Sequence, residues 1–240
     1  MLLKGKRIFI TGGSRGIGAA SVAECVRNGA AVGYNYHKHS EGAKKLSNEL
    51  GDACRSYKAD VRDPEELSRA IGDFCTKGGL DGLVVNAGIY RRNPFSELDI
   101  VGWRKTMSVN LDGAFLTVRE ALEHMKEGSV VIVSSQLAYK GSSHGADYSA
   151  SKSGLIGLNA SLARELAPLI RVNAIAPGYV DTDLLSSDTK EKRKKREHEV
   201  PLGRVGDPLD IARPIVFLLS ELSSYMTGSV LDVNGGLFIH

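Results

Sequence analysis

Cysteine is scarce in this chain and is not arranged for chemistry. Its 240 residues hold three, Cys25, Cys54 and Cys75, with no CxxC or other metal-ligand spacing. An odd count of scattered thiols gives neither a disulfide framework nor a metal site, so we read them as small reduced residues in or near a core. Long apolar runs are also missing. No stretch approaches ~20 residues, which excludes a membrane-spanning helix. Charge of one sign is lacking too: 31 Lys and Arg stand against 28 Asp and Glu, for a net charge of +3. Such a balance makes no case for nucleic acid or a membrane surface as the main partner. The opening residues run straight into a strand and have no signal-peptide pattern, so we expect the cytoplasm. His144 and the other lone histidines have no partner spacing that would make a Ser-His-Asp triad.

What the chain does have is glycine, 27 residues of it, much of it at the ends of short apolar runs. These runs alternate with helical patterns from end to end. Strands are expected at 7–11, 30–36, 56–59, 82–85, 129–134, 171–175 and 229–233, and helices at 16–27, 41–50, from Pro64, and at 103–126, 147–166 and 207–219. Asn28-Gly29 and Gly51 are helix stops, and Pro64 suits a first helical position. Strand and helix in alternation, with apolar strands, imply an α/β fold whose parallel sheet is covered on both faces. No linker or shift of composition interrupts it, so we expect one domain over 1–240. The polar run 190–199 lies in a segment with no strand signal. Its charges read as a solvated face and the whole segment, about 181–200, as a lid.

After the first strand comes Thr11-Gly12-Gly13-Ser14-Arg15-Gly16-Ile17-Gly18. A glycine turn between a strand and a helix is a seat for a dinucleotide pyrophosphate. Gly12 permits the tight turn, Gly16 lets the backbone approach a phosphate, and Gly18 allows close helix–strand packing. Ser14, Arg15 and Ile17 lie on the same turn, and the helix start offers free N–H groups and a positive dipole end. An NAD site carries an acid at the end of the second strand, for the ribose 2′-hydroxyl. Here that place reads Asn35-Tyr36-His37-Lys38 and has no acid, while Arg15 and Lys38 suit a 2′-phosphate. We therefore expect NADP(H) rather than NAD(H), with Asn35, Tyr36 and His37 beside it.

Ser135, Tyr148 and Lys152 carry the chemistry. Tyr148 and Lys152 are spaced i,i+4, on one face of a helix. A free phenol has a pKa near ~10, and a nearby ammonium is expected to lower it. Ser135 follows the apolar run 130–133 and so sits at the carboxyl end of a strand, where open α/β sheets bind ligands. Taken together the three read as an oxyanion-holding serine, an acid/base tyrosine and a lysine that tunes it.

With Asp60-Val61, Asn86-Ala87-Gly88, Asn110, and Asn173 through Pro177-Gly178 to Thr182, these motifs follow in order over the whole chain, which thereby resembles the short-chain dehydrogenase/reductase family. The resemblance implies a Rossmann-type doubly wound sheet of about seven strands in the order 3-2-1-4-5-6-7. It implies that Asp60 bonds the adenine amino group with Val61 flanking the ring, and that Asn86, Ala87 and Gly88 lie beside the cofactor. Pro177, Gly178, Val180 and Thr182 would meet the nicotinamide end, and Tyr148 and Lys152 its ribose. Asn110 would hold a water linking Lys152 to solvent. Tyr139 and His144 would be pocket lining at most. The chain looks nearest to 3-oxoacyl-(acyl-carrier-protein) reductases, although Lys126-Glu127 and Pro168 replace the arginines that such enzymes offer an acidic carrier protein. A sugar, polyol or small ketone is the alternative substrate, and a non-catalytic NADP-binding sensor the alternative of another class. A homotetramer is expected by the same likeness, with a dimer second.

Overall fold

The computed structural model describes residues 1–186 and 188–239. Seven strands, β1 Arg7–Ile10, β2 Ala31–Tyr36, β3 Cys54–Lys58, β4 Gly82–Val85, β5 Gly128–Val133, β6 Ile170–Pro177 and β7 Val230–Val233, form one sheet. All pairs are parallel and the order is β3-β2-β1-β4-β5-β6-β7. The helices are α1 Gly16–Arg27, α2 Ser40–Leu50, α3 Pro64–Cys75, α4 Ile100–Met107, α5 Gly113–Leu122, α6 Leu137–Lys140, α7 Ala146–Glu165, α8 Lys190–Glu199 and α9 Pro208–Leu219. Among the described residues no helix is long and apolar enough to cross a membrane.

Side chains alternate across each strand, so every strand feeds two cores. Ile8, Ile10, Val131 and Val133 pack with Val22 and Cys25 of α1, Ala43 and Leu46 of α2, and Ile211 and Ile215 of α9. Phe9, Val130 and Ile132 face the other way, onto Ile71 and Phe74 of α3, Val118 of α5 and Leu155 of α7. Both faces are thus covered, as the apolar strands require. Cys25 and Cys54 are buried and all three thiols are free.

Local chemistry sets the helix starts. Asp63 caps α3 by accepting from the Glu65 and Glu66 amides, with Pro64 in the first turn. Asp207 and Asp210 form a reciprocal capping box at the start of α9. The helix expected over 103–126 differs most from its prediction. Asp99 accepts from the Gly102 amide and starts α4 earlier, and a single π-turn, Ser108–Asp112, separates it from α5. Its end comes early because the His124 carbonyl accepts from the Leu80 amide, which ties that turn to the entry of β4. β3 begins earlier than expected, and β6 extends to Pro177, because Cys54 pairs with Val32 and Pro177 with Val233.

The chain winds outward from β1 to β3, then returns to lay β4 on the other side of β1. A crevice opens beyond the carboxyl ends of β1 and β4 where the winding reverses, and that is where such sheets bind ligands.

Candidate active site

The glycine turn is built to receive an anion. Gly12 and Gly16 have φ of +67° and +53°, in the left-handed region that favours glycine. A Cβ on Gly18 would lie 2.1 Å from the Gly12 carbonyl oxygen, so the missing side chain lets α1 close on the turn. α1 has no side-chain cap and no acid in its first turn. Its first N–H groups and positive dipole end are therefore unopposed, which fits a pyrophosphate. Asn35 and Asn86 brace the turn. The Gly12 amide donates to Asn35 Oδ1 at 3.0 Å while Asn35 Nδ2 donates to the Ala59 carbonyl at 2.8 Å. Asn86 Nδ2 donates to the Thr11 carbonyl at 2.9 Å, and the Thr11 hydroxyl accepts from the Asn86 and Ala87 amides. Both ends of the Asn35 amide are thus taken by protein, and this side chain acts on a ligand only through the turn it holds.

The far end of the crevice departs from expectation at Asp60. Its carboxylate is gripped by the Arg62 guanidinium through several bonds, with His37 Nε2 at 3.6 Å. Those bonds hold the Asp60 carboxyl below its usual range against the opposing effect of burial. Asp60 is therefore an acceptor already shared with an arginine that the motif reading had not singled out. No carboxylate stands at the end of β2, where Tyr36, His37 and Lys38 line the crevice. Arg15 pairs across the crevice with Asp183 at 2.8 Å.

The reacting groups meet at the end of β5. Ser134 is spent on structure, its hydroxyl donating to the Lys152 carbonyl at 2.8 Å. Ser135 instead turns its hydroxyl toward Tyr148 and accepts from the Leu137 amide at 3.1 Å. Lys152 is buried, donates from Nζ to the Val133 carbonyl at 2.7 Å, and lies 5.7 Å from the centre of the Tyr148 ring. The expected lowering of the phenol pKa does not occur in the free site. Burial pushes Tyr148 up to about 12, the Ser135 hydroxyl pulling it back and Tyr90 adding to the rise. Burial also lowers Lys152 to about 8. In this dry site the cost of charging each group outweighs the help the ammonium gives the phenolate.

Asn110 sits at the middle of the π-turn, 1% exposed and outside the crevice lining. Its Oδ1 accepts from the Ile89 amide at 2.8 Å, and its Nδ2 donates to the Ile89 carbonyl at 3.0 Å and to Ser151 Oγ at 3.0 Å. The side chain is a clamp between the π-turn, the strand β4 exit and α7. Both of its N–H groups are spent on protein, and Oδ1 already accepts one bond.

The crevice encloses about 690 Å³ and brings together every other residue expected in the site. Gly88, Pro177, Gly178, Val180 and Thr182 line it along with the turn, Asp60, Val61, Ser135, Tyr148 and Lys152. His144 lines it as expected, but Tyr139 does not, and stacks on Phe238 at 5.7 Å. Three features went unread in the sequence. Tyr90 packs on Tyr148 with ring centres 4.5 Å apart and its hydroxyl meets Ser142 Oγ at 3.0 Å. Gln136 lines the crevice, is 2% exposed, and its Oε1 has no hydrogen-bond partner among the described residues. Arg92 reaches Asp188, just before α8, at 3.2 Å. None of these has a spacing signal, because each depends on how loops fold back.

α8 borders the crevice through Lys192 and Arg196, and several of its charges are paired. Asp188, with its side chain 3% exposed, pairs with Arg92, Lys192 and Arg196. Arg196 also lies over the Tyr179 ring at 4.4 Å, and Arg193 pairs with Asp181 at 2.6 Å. Lys192 and Arg193 keep about half of their side chains exposed, as expected of a solvated face, and the expectation is corrected for Arg196, only 12% exposed, which fastens the segment through Asp188.

A family model described as enoyl-(acyl carrier protein) reductase matches residues 12–238. A 3-oxoacyl-(acyl-carrier-protein) reductase of Aquifex aeolicus is 36% identical over 98% of both chains. An L-rhamnose 1-dehydrogenase (NAD(P)(+)) of Azotobacter vinelandii is 39% identical, covering 100% of this chain and 99% of its own. Among solved structures, a short-chain dehydrogenase/reductase from Brucella melitensis superposes with a TM-score of 0.95 at 34% identity, over 100% of this chain and 99% of that one. With its sheet order, its glycine turn and this likeness along the full length, the chain belongs to the short-chain dehydrogenase/reductase family of nicotinamide-dependent oxidoreductases.

Proposed function

We propose that the protein interconverts a ketone and a secondary alcohol with NADP(H), and that its substrate is of the 3-oxoacyl thioester kind. The observation that carries this reading is the convergence of the Ser135 and Tyr148 hydroxyls above a buried Lys152, in the crevice that begins at the glycine turn. When bound, the nicotinamide supplies or takes up a hydride. Negative charge then grows on the substrate oxygen, where the two hydroxyls hold it. Tyr148 gives its proton to that oxygen as general acid. Its raised pKa keeps it protonated in the free enzyme, which is the form reduction needs. Lys152 would bond the nicotinamide ribose, and its ammonium would favour phenolate. Because both Asn110 N–H groups are spent on protein, a relay water would rest on the main chain of the π-turn, whose hydrogen bonding departs from that of an α-helix. The absence of a carboxylate after β2, with Lys38 in its place, supports NADP(H) over NAD(H).

A sugar or polyol substrate is the second reading, and Gln136 favours it. A buried acceptor without a partner beside the reacting groups suits a substrate hydroxyl. Docking of an acyl-carrier protein is not part of the proposal, since Lys126-Glu127 and Pro168 offer no arginine pair. We place the enzyme in the cytoplasm as a homotetramer. NADPH oxidation with 3-oxoacyl thioesters, ketoses and small ketones tests the reading. Turnover of a thioester supports it, turnover of ketoses alone moves it to the second reading, and tight NADPH binding with no turnover makes the protein a sensor.

A further inference from the structure

The cations of the crevice are distributed unevenly. The two carboxylates that line it, Asp60 and Asp183, are each paired with an arginine, Arg62 and Arg15. Around the reacting end stand Arg91, Arg92, Lys105, Lys192 and Arg196, all on the crevice lining. Arg92, Lys192 and Arg196 converge from the loop after β4 and from α8 on one carboxylate, Asp188, at 3.2, 3.1 and 2.5 Å. Burial alone would raise the Asp188 carboxyl, but its three cations together hold it well below the usual carboxylate range. It therefore contributes one negative charge against three positive ones. Among the described residues, Arg91 and Lys105 have no carboxylate partner at all.

The position of this cluster says which ligand it serves. The cofactor's pyrophosphate belongs at the start of α1, and its 2′-phosphate at the end of β2. Arg91 and Arg92 instead follow Tyr90, whose ring lies on Tyr148. They flank the substrate's place, and the lid brings Lys192 and Arg196 to it from the other side. Uncompensated guanidinium groups in a partly enclosed site attract and orient a carboxylate or phosphate bidentately.

We infer that the substrate carries an anionic group, carboxylate or phosphate, held between the Arg91-Arg92 loop and the Lys192–Arg196 face of α8 while its carbonyl meets Ser135 and Tyr148. This rests on the ketone-reductase reading above and adds its charge requirement. The anion has two sources: a carboxylate on a small keto acid, or the phosphates of a coenzyme A thioester.

The test compares four probes with NADPH: acetoacetate and its neutral ethyl ester, and acetoacetyl-coenzyme A and the neutral acetoacetyl N-acetylcysteamine thioester. The wild type is expected to prefer one anionic probe over its neutral partner by about tenfold or more in kcat/KM, with a preference that weakens as salt rises. The pair that shows it names the source. Arg91→Gln and Lys192→Gln should each reduce that ratio severalfold, while Lys194→Gln, on α8 but off the crevice, should keep it. Equal use of both members of each pair overturns the inference and leaves the reductase reading standing. If no probe turns over, titration of 3-hydroxybutyrate into the NADP-saturated enzyme decides. Saturable, salt-sensitive binding lost in Arg91→Gln supports the anion site and counts against the reductase reading alone, and no binding overturns both.

Discussion

Burial, more than the neighbouring charge, sets the protonation of Tyr148 and Lys152. Lys152 is held down to about 8 by its desolvation, against an unfolded value near ~10.4. Between those limits the unfolded chain binds a proton that the folded one does not, so Lys152 adds stability as the pH rises from about 8 toward ~10.4. Urea unfolding of wild type and Lys152→Met should show the wild type gaining on the variant across that window and running parallel to it below pH 8. A constant difference throughout would contradict it. The sequence spacing disclosed that these two side chains share a helix face, and the structure turns the Ser135 hydroxyl toward Tyr148 while Ser134 bonds the Lys152 carbonyl. The spacing did not disclose the sign of the phenol shift, because solvation is a property of the closed site. Asn35 and Asp60 show the same limit: their place was legible, but their partners, the Gly12 amide and Arg62, depend on how loops meet.

At the scale of elements, the π-turn and the segment we propose as a lid are the parts whose contacts go beyond core packing. Asn110→Ala removes all three bonds of the clamp and leaves the half-buried Ile89 groups without their partner, at a cost of about 1–3 kcal/mol. It should lower kcat more than it raises KM, as steady-state kinetics will show, because the relay rather than the substrate seat is disturbed. Asp188→Asn removes the charge on which Arg92, Lys192 and Arg196 converge. α8 should then detach more often, and trypsin should cut the 190–196 run severalfold faster than in wild type. An unchanged cleavage rate would mean that the lid is fastened elsewhere. Alternation and stop signals made the strands and most helices readable: α1 and β4 start and end, and α3 starts, where glycine and proline put them. The break in the 100–122 helix was invisible, since nothing in a continuous helical pattern signals a π-turn held by the loop after β4 and by α7.

For the molecule as a whole, the buried parallel sheet was foreseeable from the rhythm of the chain and its strand order, with the reversal point, from the family resemblance, whereas the partners on its outer surface are not written in any periodicity. Ile100, Val101 and Phe115, at 60%, 69% and 50% exposure, leave an apolar face on α4 and α5. We expect this face to be covered in the homotetramer, and Phe115→Glu should shift sedimentation toward a smaller assembly while the fold, by circular dichroism, stays intact. A wild type that sediments as a single 25.8 kDa chain would dismiss that assembly. The most direct test of the central claim is Tyr148→Phe. The account predicts that NADPH still binds with nearly wild-type affinity in a fluorescence titration, while ketone reduction falls by about 10²-fold or more. Retention of more than about a few per cent of wild-type turnover would contradict the assignment of Tyr148 as the proton donor, and with it the reading of the crevice as a carbonyl-reducing site.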